Sequence, residues 1–405
     1  MIRTVVTGIG MVTPAGVGTE PSWAAICAGR PVAAADPGLG DSPVGISCRV
    51  PDFDPVARLG AGPAHRLDRV SQFALTAVRE AVAQAGLDHR GWDGTRVGLV
   101  LGIGGWGATT LETQHHRLLE QGQAKVSPYF LPMALPTGPV APIAIEFGVH
   151  GPTHVVCTAC ASGTSAIGQA RQLIATGACD VVLAGGCEAS LTPLISTGFA
   201  RMKALSRRTD DPAGASRPFD ADRDGFVLGE GAAVLVLESA GFARSRGARP
   251  LAGVAGYGAT NDAYHAAAPE PTGAMAAAAI RRALADAGAS AHEVDHVNAH
   301  GTGTRLNDVT EARAIRAALG SGPSVTSVKG VTGHPLGAAG AIEAACTVLS
   351  IRDGLVPPTA NLRRLDPEID LDVVAGTARP QRIGLALSQS LGFAGHNAVL
   401  AFTSP

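Results

Sequence analysis

The sequence predicts an α/β protein. Short β-rich apolar runs alternate with Ala-rich helical stretches along the whole chain. The strand runs are close to continuously apolar, which is the mark of sheets covered on both faces. Hydrophobic residues make up 46% of the 405 and charged residues only 16%, with 52 glycines. That composition fits a deeply packed core with tight turns and excludes a disordered chain. The length suggests two to three domain-sized units.

Strands are expected at Arg3–Thr7, Val97–Leu101, His154–Cys157, Val181–Ala184, Ala233–Leu237, Leu251–Gly258, His296–Ala299, Ala386–Ser388 and Val399–Phe402. Helices are expected at Gln72–Ala85, Ser162–Thr176, Gly273–Ala287, Asp308–Leu319 and Ala338–Arg352. Each half of the chain holds a strand, a loop with a reactive residue and then a small-residue helix. This suggests an internal duplication, with residues 1–245 carrying a candidate nucleophile and 246–405 carrying two histidines. The exposed-looking segment Arg-Ser-Arg-Gly-Ala-Arg-Pro at 244–250 would join them.

The net charge of -2 offers no global field for nucleic acid or an acidic membrane. No apolar run is long enough to span a bilayer. The stretch Met1–Pro14, broken by Gly8 and Gly10, is not read as a signal peptide. Seven scattered cysteines in a long chain point to reduced thiols and a cytoplasmic protein.

The central chemical signal is Val155-Val-Cys-Thr-Ala-Cys-Ala-Ser-Gly163. A β run ends, a sharp turn follows, and a helix opens with Cys160 near its first turn. Free N–H groups there would stabilise a thiolate and lower its pKa. A buried structural cysteine is the competing use, and this segment alone leaves the two open. Cys157 and Cys160 also form C-x-x-C, but no second pair exists for zinc and the context is unlike a thioredoxin. Two histidines sit in glycine-rich loops, in Asn298-Ala-His300-Gly-Thr-Gly-Thr304 and in Lys329-Gly-Val-Thr-Gly-His334. His292, His296 and His300 are four apart, but a strand around His296 would not bring them to one metal. Gly102-Ile-Gly104-Gly-Trp-Gly107 fits G-x-G-x-x-G, yet no second strand with an acidic end follows, as dinucleotide binding requires.

Taken together the motifs become specific. Thr158-Ala-Cys160, Asn298-Ala-His300-Gly-Thr, Lys329 with Gly333-His334, and Gly392-Phe393 with Gly395-His396-Asn397 occur in this order over essentially the whole chain. Ser216-Arg-Pro-Phe-Asp220, Asp224-Gly-Phe226-Val-Leu-Gly-Glu-Gly231 and Asp262-Ala-Tyr-His265 add to them. The sequence resembles the β-ketoacyl-acyl-carrier-protein synthases, of the elongating synthase II type. The resemblance implies a thiolase-like five-layer fold built from two duplicated α/β halves. It implies decarboxylative Claisen condensation of an acyl chain on Cys160 with a malonyl thioester handled by His300 and His334.

The resemblance also assigns supporting roles. Backbone N–H groups of Cys160 and Phe393 would form an oxyanion hole, and Phe393 would be the gate. Lys329, with Glu311, would support the histidines. Thr302 and Thr304 would bind the phosphopantetheine arm, and Phe226 would wall the site. The partner is an acyl carrier protein, an acidic protein that supplies that arm; no metal or bound cofactor is implied. Arg207 with Arg208, and Arg66 with Arg69, are candidate docking residues. A dimer is implied, with a second copy or with a chain-length factor.

Two departures stand out. The family's Asn-Ser-Phe-Gly-Phe-Gly-Gly tail is here Gln389-Ser-Leu-Gly-Phe-Ala-Gly395, and Leu131-Pro-Met-Ala-Leu-Pro136 is unusual. Both point toward a polyketide-type synthase over a fatty-acid one. A thiolase is disfavoured because no cysteine follows Cys346, and a non-catalytic partner subunit because Cys160, His300 and His334 are all present.

Overall fold

The computed structural model describes residues 2–405. The first half contributes β1 (Thr4–Thr13), α1 (Arg69–Gln84), β2 (Val97–Gly102), β3 (Thr153–Val156), α2 (Ser162–Ala175), β4 (Val181–Glu188), α3 (Pro193–Arg201) and β5 (Gly231–Ser239). The second half contributes β6 (Ala252–Asn261), α4 (Ala274–Ala287), β7 (His296–Asn298), α5 (Arg305–Leu319), β8 (Ser324–Thr326), α6 (Leu336–Asp353), β9 (Asp372–Val373), β10 (Leu385–Gly392) and β11 (His396–Thr403).

The strands run in the order β9-β8-β7-β10-β11-β6-β1-β5-β4-β2-β3. The duplication is visible in this order. In the first half, β2 lies parallel between β3 and β4, β4 pairs antiparallel with β5, and β5 with β1. In the second, β7 lies parallel between β8 and β10, β10 pairs antiparallel with β11, and β11 with β6. The halves join where β1 meets β6 over Thr4–Val6.

Three cores separate five layers. One outer core packs α1 on the first-half strands, through Phe73, Ala77 and Val78. Another packs α4 and α5 on the second-half strands, through Ile280, Ala283 and Ile315. The central core holds α2 and α6 between the first-half and the second-half strands. Residues Leu336–Ile351 of α6 are all buried, so this helix is sheathed on every side. That explains its all-round small and apolar sequence. This is the expected thiolase-like architecture.

The strand β1 extends well beyond the expected Arg3–Thr7 because Gly8 and Gly10 do not break it. A Cβ at Gly8 would lie 2.2 Å from Ala81 O, and one at Gly10 would lie 1.9 Å from Ala77 O. These glycines let the backbone of α1 cross the strand closely. Among the described residues, no helix is long and apolar enough to cross a membrane.

Candidate active site

The layer arrangement explains how distant motifs converge. The helices α2 and α6 are neighbours in the central layer, and each begins just after a reactive residue, Cys160 and His334. The strand β7 delivers His300 beside them. The Cys160 sulfur and one ring nitrogen of each histidine lie within 4.8 Å of one another. The His300 and His334 rings meet edge to face at 5.2 Å. All three residues are buried at the end of a cavity of about 530 Å³, which Thr302, Thr304, Phe226 and Phe393 also line.

The turn carrying Cys160 is tight. Ala159 takes a left-handed φ of 50°, a strained value for a non-glycine. Ser162 Oγ accepts from Thr158 N at 2.9 Å and donates to Ala159 O at 2.6 Å, which closes the turn. A Cβ at Gly102 would lie 2.3 Å from the Ser162 carbonyl carbon. Gly102, the last residue of β2, therefore serves close packing under the nucleophile loop.

The helix begins at the expected Ser162 with Ala161 as N-cap, so Cys160 stands just before it. The expected lowering of the thiol pKa is what the structure corrects. Burial pushes the thiol up to about 11, although the Lys329 charge and the Phe393 N–H both pull it down. In the resting protein the sulfur is a thiol.

His300 is fixed from both ends. Its backbone N–H donates to Glu311 Oε1 at 2.6 Å, and Gly301 N donates to Glu311 Oε2 at 2.7 Å. On the ring side, the Lys329 ammonium lies 3.1 Å from His300 Nδ1 and donates to His300 O at 2.6 Å. An ammonium can only donate, so Nδ1 must accept. The ring proton is thereby assigned to Nε2, the tautomer that can offer a hydrogen bond.

The pairing of Lys329 with Glu311 does not occur. The carboxylate on Lys329 is that of Glu343, on α6. Glu311 instead holds the backbone of the His300 loop and accepts from Gln389 Nε2. That contact gives the unusual Gln389 a structural role.

His334 is held through its backbone, which donates to Val227 O at 2.8 Å. Its ring packs edge-on against Phe226 at 5.1 Å. Gly333 has φ 64° and no room for a Cβ, which would meet Cys48 Sγ at 2.7 Å. Burial lowers the pKa of both histidines well below the usual value, and the Lys329 charge lowers them further.

Both rings are therefore neutral at neutral pH, and the fixed tautomer of His300 makes its Nε2 a donor. Malonyl decarboxylation should stay level between about pH 8 and pH 6. Protonating Glu343, whose carboxyl burial lifts to about 7, would only strengthen the positive field and keep the rings neutral. A pH–rate profile falling with a midpoint at the ordinary histidine value of about 6.5 would overturn this reading.

Phe393 follows Gly392, where a Cβ would sit 2.7 Å from Thr158 O. This close approach aims the Phe393 N–H at the Cys160 sulfur. Ala394 takes φ 58° and ψ 19°, so alanine occupies a left-handed position that favours glycine. The loop is tied down, since Ala394 N donates to Ala266 O at 2.8 Å and Asn261 Nδ2 to Ala394 O at 2.8 Å. Thr302 and Thr304 hydroxyls lie 3.0 Å apart, and Thr304 also caps α5.

The docking candidates divide. Arg69 is engaged by Glu230 at 2.6 Å and lies over the Phe73 ring at 4.6 Å, with 25% of its side chain exposed. Arg66 is exposed and lies over the Tyr129 ring at 5.5 Å. Arg207 is exposed, while Arg208 donates to Asp222 O at 2.9 Å.

Sequence reasoning missed Glu343, Phe199 and Lys203. Glu343 had a signal: it is the one charged residue in the small and apolar run Leu336–Ile351, and a buried charge needs a partner. Phe199 packs between Phe226 at 5.5 Å and Phe393 at 6.1 Å. Lys203 lines the cavity from the segment after α3.

Comparisons with known proteins agree with this geometry. Residues 2–243 match the family described as beta-ketoacyl synthase, N-terminal domain, and residues 251–363 match its C-terminal domain. The chain is 44% identical to a 3-oxoacyl-[acyl-carrier-protein] synthase 2 of Synechocystis sp., over 99% of this chain and 97% of that protein. It is 40% identical to the synthase of the same name from Staphylococcus aureus, over 99% and 98%. Among solved structures, a beta-ketoacyl synthase from Burkholderia phymatum superposes with a TM-score of 0.94 at 33% identity, covering 100% of both chains. A type II polyketide ketosynthase in complex with its acyl-carrier protein superposes with a TM-score of 0.91 at 32% identity, again over 100% of both. The ishigamide ketosynthase/chain length factor gives 0.92 at 35%, covering 100% of this chain and 99% of that one.

Proposed function

The chain belongs to the β-ketoacyl synthase family and is an acyltransferase-class condensing enzyme, and from that premise we propose how its own residues perform the condensation. The observation that carries the proposal is the convergence of one thiol and two neutral imidazoles in a single buried cavity.

In the first half-reaction, Cys160 attacks the thioester carbonyl of an acyl chain borne on the phosphopantetheine arm of an acyl carrier protein. The carbon–sulfur bond to the arm breaks, and the Cys160 proton ends on the departing pantetheine thiol. The adjacent imidazoles are the groups placed to relay that proton. In the second, a malonyl thioester enters along Thr302 and Thr304. Its carboxylate leaves as CO2, and the electron pair forms an enolate whose oxygen is held by His300 and His334. The enolate carbon then attacks the acyl carbonyl on Cys160. The oxyanion faces the N–H groups of Cys160 and Phe393, and collapse expels the sulfur as a thiolate, which takes a proton from water to restore the resting thiol. Neutral donors fixed in a dry site are what such an oxyanion requires. Lys329 and Glu343 fix the donor tautomer of His300, and Glu311 holds its loop.

A thiol with two imidazoles is also a donor set for a transition metal. The Lys329 ammonium directly behind His300 opposes a second cation there, so the trio is read as an organic catalytic centre.

The assignment divides the chain at residue 245, with the nucleophile in 1–245 and the histidines in 246–405. It also includes a dimer. The strand β3 ends the sheet with one edge unpaired, and Ile145, Leu131 and Leu135 nearby in sequence are exposed apolar residues, Ile145 at 82%. An unpaired edge beside apolar side chains suits pairing with a second copy or with a chain-length factor. Arg207, Arg208 and Arg66 remain docking candidates for the acidic carrier.

The test is reconstitution. The purified protein, given an acyl and a malonyl carrier protein, should release CO2 and leave a 3-oxoacyl carrier detectable by mass spectrometry. Carrier species that stay unchanged would overturn the proposal.

A further inference from the structure

The first turn of α5 breaks two local rules. Arg305 puts a cation at the positive end of a helix, where acidic residues are favoured. Leu306 leaves 66% of its surface in water. Such conflicts with local preference concentrate at functional sites. The helix is not short of a cap, because Thr304 supplies one and Asp308 lies in the first turn.

The position of the two residues suggests a use. Both line the rim of the catalytic cavity, and both also line a smaller cleft of about 260 Å³ beside it. They form part of the ridge between the two openings. Arg305 is exposed and has no ion-pair partner among the described residues. Of the carboxylates in the neighbouring cleft, Asp366 pairs with Arg223 at 2.6 Å and is also within the field of the Arg305 charge, and Glu368 pairs with Arg313 at 3.5 Å. The segment after α3 repeats the combination on another wall of the cavity. There Met202 is 50% exposed and sits next to the exposed Lys203. Two adjacent pairs, each one cation and one apolar side chain, thus frame one opening.

We infer that Arg305 and Leu306 are a docking contact for the acidic carrier protein, placed to seat it as its arm enters the cavity. The inference rests on the carrier-dependent reading above and adds a surface that the sequence resemblance did not mark. The occupant is a protein of opposite charge with some apolar surface. A cation at a rim accelerates encounter with an acidic partner and loses that effect in salt, whereas an apolar contact keeps its effect.

The experiment compares Arg305→Glu and Leu306→Ser with wild type on two substrates, malonyl-carrier protein and malonyl-pantetheine without a carrier. Arg305→Glu should raise KM for the carrier substrate by about fivefold to tenfold at low salt, and the difference should shrink at high salt. Leu306→Ser should raise it by a smaller factor that persists in salt. Turnover of malonyl-pantetheine should be the same in all three proteins. An unchanged carrier KM in Arg305→Glu would overturn the docking assignment while leaving the condensing reading in place. An equal loss on malonyl-pantetheine would also overturn it, by showing that these residues act inside the cavity. A wild-type protein inert on every carrier-bound thioester would overturn the condensing reading itself, and the docking contact with it.

Discussion

Cys160→Ala should abolish chain elongation, by a factor of roughly 10^4 or more, while malonyl decarboxylation survives. The first half follows from the chemistry: with no sulfur there is no acyl-enzyme, and no other thiol belongs to the catalytic trio. The second half follows from the geometry. His300 is held by Glu311 and Lys329, and His334 by its backbone bond to Val227 O. None of these contacts passes through Cys160. The substitution also removes little volume from a cavity already present, so the fold should be undisturbed. Elongation is read by mass spectrometry of the carrier, and decarboxylation by CO2 release in the absence of acyl substrate. A variant that still elongates would refute the nucleophile assignment. A variant that neither elongates nor decarboxylates, yet melts normally, would refute the independence of the histidine pair.

What was legible in the sequence depended on whether the signal was local. The strand–turn–helix around Cys160 and the glycine-rich histidine loops have short-range signatures, and each was found where expected. The order of four spaced motifs then supplied the family and the fold. Pairing across the core was not local. The partner of Lys329 is given as Glu311 by the family resemblance alone. The actual partner, Glu343, comes from a helix whose burial on all sides became visible only in the folded protein. A helix start beside the sulfur predicts an acidic thiol. The helix does begin at Ser162 as the sequence places it, but desolvation of the buried sulfur outweighs the nearby positive charge. Gly8 and Gly10 looked like breakers because a glycine in a strand and a glycine under a crossing helix are alike in sequence. Arg69 looked available for docking until Glu230, far along the chain, was seen to engage it.

The Lys329–Glu343 pair should be the most sensitive point after the nucleophile. Both residues are buried to 1% exposure, and the ammonium serves Glu343, His300 Nδ1 and His300 O together. Lys329→Met removes the cation and leaves the carboxyl without its partner. Breaking a buried pair in this way costs about 3–5 kcal/mol, more than replacing both members. Without the Lys329 charge, burial lifts the Glu343 carboxyl further, so it folds protonated. A raised carboxyl pKa contributes stability fully below the unfolded value and loses it as pH rises through the folded one. The single variant should therefore melt at a higher temperature at about pH 5 than at about pH 8. A higher melting temperature at the alkaline end would contradict the sign. Lys329→Met combined with Glu343→Met should recover most of the lost stability, since neither charge remains. Activity should not recover with it. In both variants Nδ1 of His300 has lost its donor, so the ring no longer holds its proton on Nε2. Loss of one fixed donor to the enolate slows decarboxylation by roughly 10^2 to 10^3. A double variant that regains both melting temperature and decarboxylation would show that Lys329 acts on the fold alone. One that regains stability but stays slow would place it as the residue that positions His300 for the reaction.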